Sequence, residues 1–107
     1  LVTGGAKVAP AAVEAAVAAL PGVAEVCVVG VPDPEWGQAV TAVVVPRGAG
    51  GPDLQTVRDH VARTLGRVAA PRHVVLVDGL PLRGPGKVDR TAVARIAAGH
   101  VARAAFP

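Results

Sequence analysis

Two valine-rich runs constrain this chain more than any other feature. Val23 to Val31 and Ala39 to Val45 are almost continuously apolar, rich in β-branched side chains and too short to favour a helix. They read as strands covered on both faces, because a strand with one wet face alternates apolar and polar residues. Proline closes each of them, at Pro32-Asp33-Pro34 and at Pro46.

The flanking segments have equally plain signals. Leu1 to Val8 reads as a short hairpin turned at Gly4-Gly5. Pro10 suits the first turn of a helix, where its missing N–H costs nothing. Val13, Val17 and Leu20 follow at helical spacing, Glu14 is that helix's lone charge, and Pro21-Gly22 ends it. Beyond the loop from Gly48 to Pro52, Asp53 caps a second helix with an apolar stripe of Leu54, Val57, Val61 and Leu65 and with Arg58, Asp59 and Arg63 on its other face. A third strand, His73 to Val77, follows Pro71, and a loop from Leu80 to Gly86 follows that. Thr91 or Asp89 then caps a terminal helix with Val93 and Ile96 inward, and the Ala-rich tail beyond Gly99 is expected to fray. The order predicts an α+β fold, a small sandwich with a three-stranded sheet, an N-terminal β-hairpin and about three helices.

At 107 residues there is room for one domain with one modest core. Apolar residues reach 51%, but they are mostly Ala and Val, and aromatics are only 2%, so each buried side chain removes little area from water. With such a thin core the fold is expected to be marginal or to lean on another domain.

The net charge of +3 and a pI near 10.0 would suit a polyanion, yet charged residues are only 18% and the basic ones are scattered. Tyr is absent and Trp36 and Phe106 lie far apart, so no aromatic platform exists for stacking bases. Weak attraction to nucleotides or phosphates fits better than nucleic-acid recognition. A single cysteine, Cys27, excludes an internal disulfide, fits a reducing compartment and sits where a buried, inert thiol is expected. No stretch approaches the ~20 apolar residues of a membrane helix, and the first residues show no signal-peptide pattern, so a cytoplasmic location without membrane insertion is expected. His60, His73 and His100 have no ligand spacing with one another or with Cys27, and no metal site is expected.

Gly84-Pro85-Gly86-Lys87 invites a phosphate-loop reading, which fails. That motif needs a glycine four residues clear of the Gly-Lys pair and Ser or Thr after the lysine, where this chain has Pro81 and Val88. Four segments, in order and spanning nearly the whole chain, carry a different pattern. They are Gly4-Gly5-Ala6-Lys7-Val8-Ala9-Pro10 leading to Val13-Glu14; Pro21-Gly22-Val23 with Gly30-Val31-Pro32-Asp33-Pro34-Glu35-Trp36-Gly37; Ala70-Pro71-Arg72; and Leu80-Pro81 with Gly84-Pro85-Gly86-Lys87-Val88-Asp89-Arg90. Together they resemble the C-terminal domain of the adenylate-forming acyl/aryl-CoA synthetase superfamily, the AMP-binding enzymes.

The resemblance implies that residues 1–107 are the C-terminal lid of a ligase whose large N-terminal domain is absent from this sequence. In that family a carboxylate attacks ATP to give an acyl-adenylate and pyrophosphate, and the CoA thiol then displaces AMP. ATP, with Mg, and the acid are bound mainly by the N-terminal domain, which is thus the first partner; the lid closes over them and swings between the two steps. Alone, this domain is expected to be inactive.

By the same resemblance Lys87 is the catalytic residue. Attack on the α-phosphate brings two anions together, and a cation near the entering and bridging oxygens stabilises that transition state above the ground state. A lysine is a compact charge on a long stem, and Gly84 and Gly86 give its loop the freedom to reach a neighbouring site. Acetylating the amine removes that charge. Asp89 and Arg90 read as structural, one capping the last helix and the other pairing locally. For CoA, the resemblance points to Gly4 and Gly5 beside the pantetheine, Trp36 against the nucleotide end and Arg72 facing phosphates. Bland readings stand beside these: a tight turn for the glycines, a lid over the core for Trp36, and a solvated strand lysine for Lys7. Val68 and Ala70 depart from the family, where an aromatic and a polar or basic residue are common. Ala12 replaces the first acid of a helix-surface pair whose second is Glu14, a structurally neutral change.

The stretches Arg63 to His73 and Leu80 to Arg90 look most like o-succinylbenzoate–CoA ligases of menaquinone biosynthesis. Alternatives are a fatty-acid or other aryl-CoA ligase, a carrier-protein-loading adenylation domain and, from another class, a non-catalytic nucleotide- or protein-binding module.

Overall fold

The structure is a computed structural model and describes residues 1–105; Phe106 and the last residue of the Ala-rich tail lie outside the described residues. It is built from a hairpin of β1 (Val2–Thr3) and β2 (Ala6–Lys7), helix α1 (Pro10–Ala18), β3 (Val23–Asp33), β4 (Gly37–Pro46), α2 (Leu54–Leu65), a 3-10 turn (Arg67–Ala69), β5 (His73–Leu76) and α3 (Arg90–Ala105). The main sheet has the order β3-β4-β5, antiparallel between β3 and β4 and parallel between β4 and β5. Helix α2 makes the crossover that a parallel pair requires.

The two valine runs are covered on both faces, as their composition demands. On one face Val28 of β3 and Val40, Ala42 and Val44 of β4 pack with Val13 and Val17 of α1 and Val57 and Val61 of α2. On the other, Cys27, Val29 and Val31 of β3, Val43 of β4 and Val75 of β5 pack with Val93 and Ala97 of α3. The period of two that a strand imposes thus sorts one continuous apolar run into two half-cores. The α+β sandwich with a three-stranded sheet, hairpin and three helices is present, with helices on both faces of the sheet.

The structure departs from the sequence reading at β3 and at the ends and inward faces of α2 and α3. β3 runs through Pro32 to Asp33 and joins β4 in one long hairpin, with Pro32 opposite Gln38. It does so because β3 is an edge strand, where a residue without an N–H breaks no ladder on the open side. In α2 only Val57 and Val61 are fully buried; Leu54 and Leu65, at its ends, overhang into solvent. In α3 it is Ala97, not Ile96, that faces inward beside Val93. The Ala-rich tail continues α3 as far as Ala105 instead of fraying at Gly99, since Ala has the best intrinsic helix propensity. Asp53 caps α2 as expected, its carboxylate accepting the Thr56 N–H at 2.8 Å. Asp89 rather than Thr91 caps α3, accepting the Ala92 N–H at 3.0 Å.

Cys27 is buried, and that burial pushes its thiol pKa up, as befits an inert core residue. Among the described residues no helix is long and apolar enough to cross a membrane.

Candidate functional site

The candidate residues fall into two groups that share no side chain. The first gathers at the turn between β3 and β4. Asp33 closes that turn by accepting the N–H groups of Glu35 at 2.8 Å and Trp36 at 2.9 Å. These two bonds to its charged form hold the Asp33 carboxyl below the usual carboxylate range, the Trp36 N–H having the larger effect. The Trp36 carbonyl in turn accepts the Gly4 N–H at 2.9 Å, so the small hairpin and the long one are stitched together at the indole.

Gly4 is required there on two counts. Its φ is +55°, and a Cβ built on it would lie 2.7 Å from Cε3 of the Trp36 ring. Gly5 also has positive φ, at +82°, but open space where its side chain would be. Arg72, at the start of β5, lays its guanidinium carbon 3.7 Å from the centroid of the Trp36 ring. Its backbone N–H is fixed by the Val40 carbonyl at 2.7 Å. The structure therefore brings together Gly4, Trp36 and Arg72, three residues from well-separated stretches of the sequence.

It also adds two residues that sequence reasoning missed. A cleft of about 260 Å³ is lined by Thr3, Trp36, Arg58, Arg67, Val68 and Arg72. Arg58 is not on a solvent face: its guanidinium donates to the Pro71 carbonyl at 2.8 Å, just before Arg72. A signal was available, since Arg58 adjoins Val57 and precedes Val61 by one helical turn, which puts it on the flank of the buried stripe. Arg67 lies in the 3-10 turn, which no local sequence pattern announces. Three guanidiniums beside one indole make a cationic, partly aromatic cleft, suited to a planar base carrying phosphates. Val68, the position noted as a departure from a common aromatic, is exposed on its wall. Lys7 is exposed on β2 opposite Val2 and lines a separate apolar groove.

The second group surrounds Lys87. The loop predicted from Leu80 to Gly86 is a tight hairpin: Leu82 bridges Val88, the Arg83 N–H donates to the Lys87 carbonyl at 2.7 Å, and the Asp89 N–H donates to the Pro81 carbonyl at 2.8 Å. Gly84 and Gly86 both sit at φ +72°, so their use is to shape this turn as well as to thin it. Lys87 is exposed, and the single ion pair among the described residues belongs to Arg90 and Glu14, so its ammonium is bound to no carboxylate. It stands at the end of a braced hairpin, its charge paired with no carboxylate among the described residues.

Glu14 departs from the reading of an acid on the helix surface. Its carboxylate is 19% exposed; Oε2 accepts the Val28 N–H at 2.8 Å and Nη2 of Arg90 at 2.7 Å, and Oε1 accepts the same Nη2 at 3.0 Å. Arg90 also donates through Nη1 to the Val28 carbonyl at 3.1 Å, and its pKa is raised chiefly by the bond to Glu14. No group of three or more His, Cys, Asp or Glu among the described residues is placed to hold a metal ion.

Comparison with known proteins agrees in fold and sequence. Residues 12–87 match the family profile described as the AMP-binding enzyme C-terminal domain. The chain is 49% identical over 100 residues to the medium/long-chain-fatty-acid–CoA ligase FadD8 of Mycobacterium tuberculosis, covering 87% of this chain and 18% of that protein. It is 49% identical over 99 residues to a probable 2-succinylbenzoate–CoA ligase of the same organism, covering 92% and 26%. The ATP-bound crystal structure of MatB from Rhodopseudomonas palustris superposes with a TM-score of 0.85 at 34% identity, covering 92% of this chain and 20% of that one. The chain thus spans about a fifth to a quarter of the length of the proteins it matches.

Proposed function

We propose a function from one premise: this chain belongs to the family of AMP-binding enzyme C-terminal domains. It is the lid of an ATP-dependent acid–CoA ligase, completed by an N-terminal domain that supplies the ATP, Mg and acid sites. In the first step a carboxylate oxygen bonds to the α-phosphorus of ATP and the bond to pyrophosphate breaks. In the second the CoA sulfur bonds to the acyl carbon, AMP departs, and the thiol proton leaves to solvent.

Lys87 acts in the first step. Its exposed, unpaired ammonium on a braced hairpin is the observation that carries the reading. Presented to the α-phosphate of a partner domain, it offsets the charge that develops between entering and leaving oxygens. Being held by the hairpin beforehand, it needs little reorganisation when the charge forms. The cleft of Trp36, Arg58, Arg67 and Arg72 acts in the second step as the seat for the nucleotide end of CoA, with Gly4 and Gly5 leaving room for the pantetheine. The chemistry of that donor set, three guanidiniums and an indole, supports this use.

For the acid we favour 2-succinylbenzoate, which would place the enzyme in menaquinone biosynthesis. Support comes from the match over 92% of the chain and from the motif stretches flanking Arg72 and Lys87. A medium- or long-chain fatty acid is the second reading, supported by equal identity to FadD8.

The deciding experiment is Lys87→Ala in the full-length enzyme, assayed by acid-dependent ATP–pyrophosphate exchange with 2-succinylbenzoate and with octanoate. Exchange is expected to fall by 10²-fold or more, on the order seen when one preorganised charge-stabilising group is removed, while the melting temperature holds. Exchange at the wild-type rate would refute the role of Lys87.

A further inference from the structure

Lys87 lies three residues before Arg90, and what Arg90 touches is unusual for an exposed ion pair. β3 is an edge strand, so every second residue turns its N–H and C=O away from the sheet. At Val28, whose side chain is fully buried, those two groups would lack partners. Glu14 takes the N–H and Arg90 takes the C=O, while the two side chains bond to each other through Nη2 and both carboxylate oxygens. The pair closes a ring that substitutes for a missing neighbouring strand at one residue. It draws on α1 through Glu14, on β3 through Val28 and on α3 through Arg90.

An exposed Glu–Arg pair in isolation holds little, because solvent screens it. This one differs in that the partners also bear backbone bonds, which leaves each side chain one geometry. Arg90 is the first residue of α3, and the residue before it caps that helix while donating its own N–H to Pro81 at the foot of the Lys87 hairpin. Movement of Arg90 is therefore movement of the hairpin's base.

We propose that Glu14 and Arg90 are positioning residues for Lys87, anchoring the foot of its hairpin to the open edge of β3. This rests on the reading of Lys87 given above, and goes beyond it by assigning roles to two residues that would not touch substrate. The expected consequence is selective. Loosening the anchor misplaces Lys87 and slows adenylate formation, where an error of about 1 Å can cost on the order of 10²-fold. KM for ATP, and thioester formation from a supplied acyl-adenylate, need no such placement.

The test uses the full-length ligase, with Arg90→Ala, Lys87→Ala and the double variant. Hydrogen exchange over residues 81–89 is expected to quicken at least ~10-fold in Arg90→Ala as local opening becomes easier, with β4 unchanged. kcat for pyrophosphate exchange should drop by ~10- to 100-fold at constant KM for ATP. The double variant should be no slower than Lys87→Ala, because Arg90 acts through that residue. Unchanged exchange over 81–89, unchanged kcat, or equal losses in both half-reactions would each overturn the proposal. If Arg90→Ala does not fold, Glu14→Gln keeps an acceptor for the Val28 N–H without the charge and carries the same test. Should Lys87→Ala retain activity, or the wild type activate neither 2-succinylbenzoate nor octanoate, the underlying reading fails and this one with it. A normal Lys87 effect beside an inert Arg90→Ala would sink the anchor alone.

Discussion

Trp36 has its backbone fixed at both ends before its ring meets any ligand: Asp33 holds the N–H and Gly4 the carbonyl. The ring is thereby presented to Arg72 at a contact distance of 3.7 Å without a large entropy cost on binding. Base–aromatic stacking is worth about 1–3 kcal/mol, so Trp36→Ala is expected to raise KM for CoA by roughly 5- to 150-fold. Pyrophosphate exchange should not change. Steady-state kinetics varying CoA would measure this, and an unaltered KM would remove Trp36 from the cofactor site. The residues of this cleft were unevenly legible. Trp36 and Arg72, with Gly4 against the indole, could be named because they sit in the motifs that carry the family resemblance. Arg58 left only the signal of its place on the flank of the buried stripe, which went unused, and Arg67, in a 3-10 turn, left none. Glu14 was hidden for a different reason: its partners lie 14 and 76 residues away, and nothing in a helix's own sequence reveals which strand edge it will meet.

At the scale of elements, composition spoke clearly where burial set the pattern. The valine runs could be read as doubly covered strands, and both proved so. Proline misled at Pro32, since its cost in a strand depends on whether the N–H would have faced a neighbour, which is a property of the sheet order. The end of α3 misled likewise, since helix length there follows propensity rather than an apolar stripe. The cap of α2 gives a pH test. Bonds to the Thr56 N–H and side chain, led by the backbone one, lower the Asp53 pKa below the ordinary 3.8. A carboxyl whose folded pKa is depressed contributes stability above its unfolded value and loses it as pH falls through the folded one. The melting temperature is thus expected to decline below about pH 4, with part of that decline absent in Asp53→Asn, which keeps a cap without a titrating group. Thermal melts across pH 2.5 to ~6 would show it. Parallel curves for the two proteins would assign the acid sensitivity elsewhere, Asp33 being the next candidate because its pKa is lowered in the same way.

At the scale of the molecule, the Trp36 cleft and the Lys87 hairpin have no residue in common and are joined only through one thin, valine-filled body. Sites that share no residue should fail independently. The combined Trp36→Ala and Arg90→Ala variant is expected to show the CoA defect of the first and the adenylation defect of the second, with free energies that add to within about 0.5 kcal/mol. Strong non-additivity would mean that the body transmits between them. The same arrangement has a spectroscopic consequence. The described interior holds no aromatic side chain at all, and the chain has one tryptophan and no tyrosine. Ultraviolet-excited emission from this domain therefore arises at a single indole with an arginine resting on it, so whatever displaces that arginine changes the light, and the silent core contributes no background.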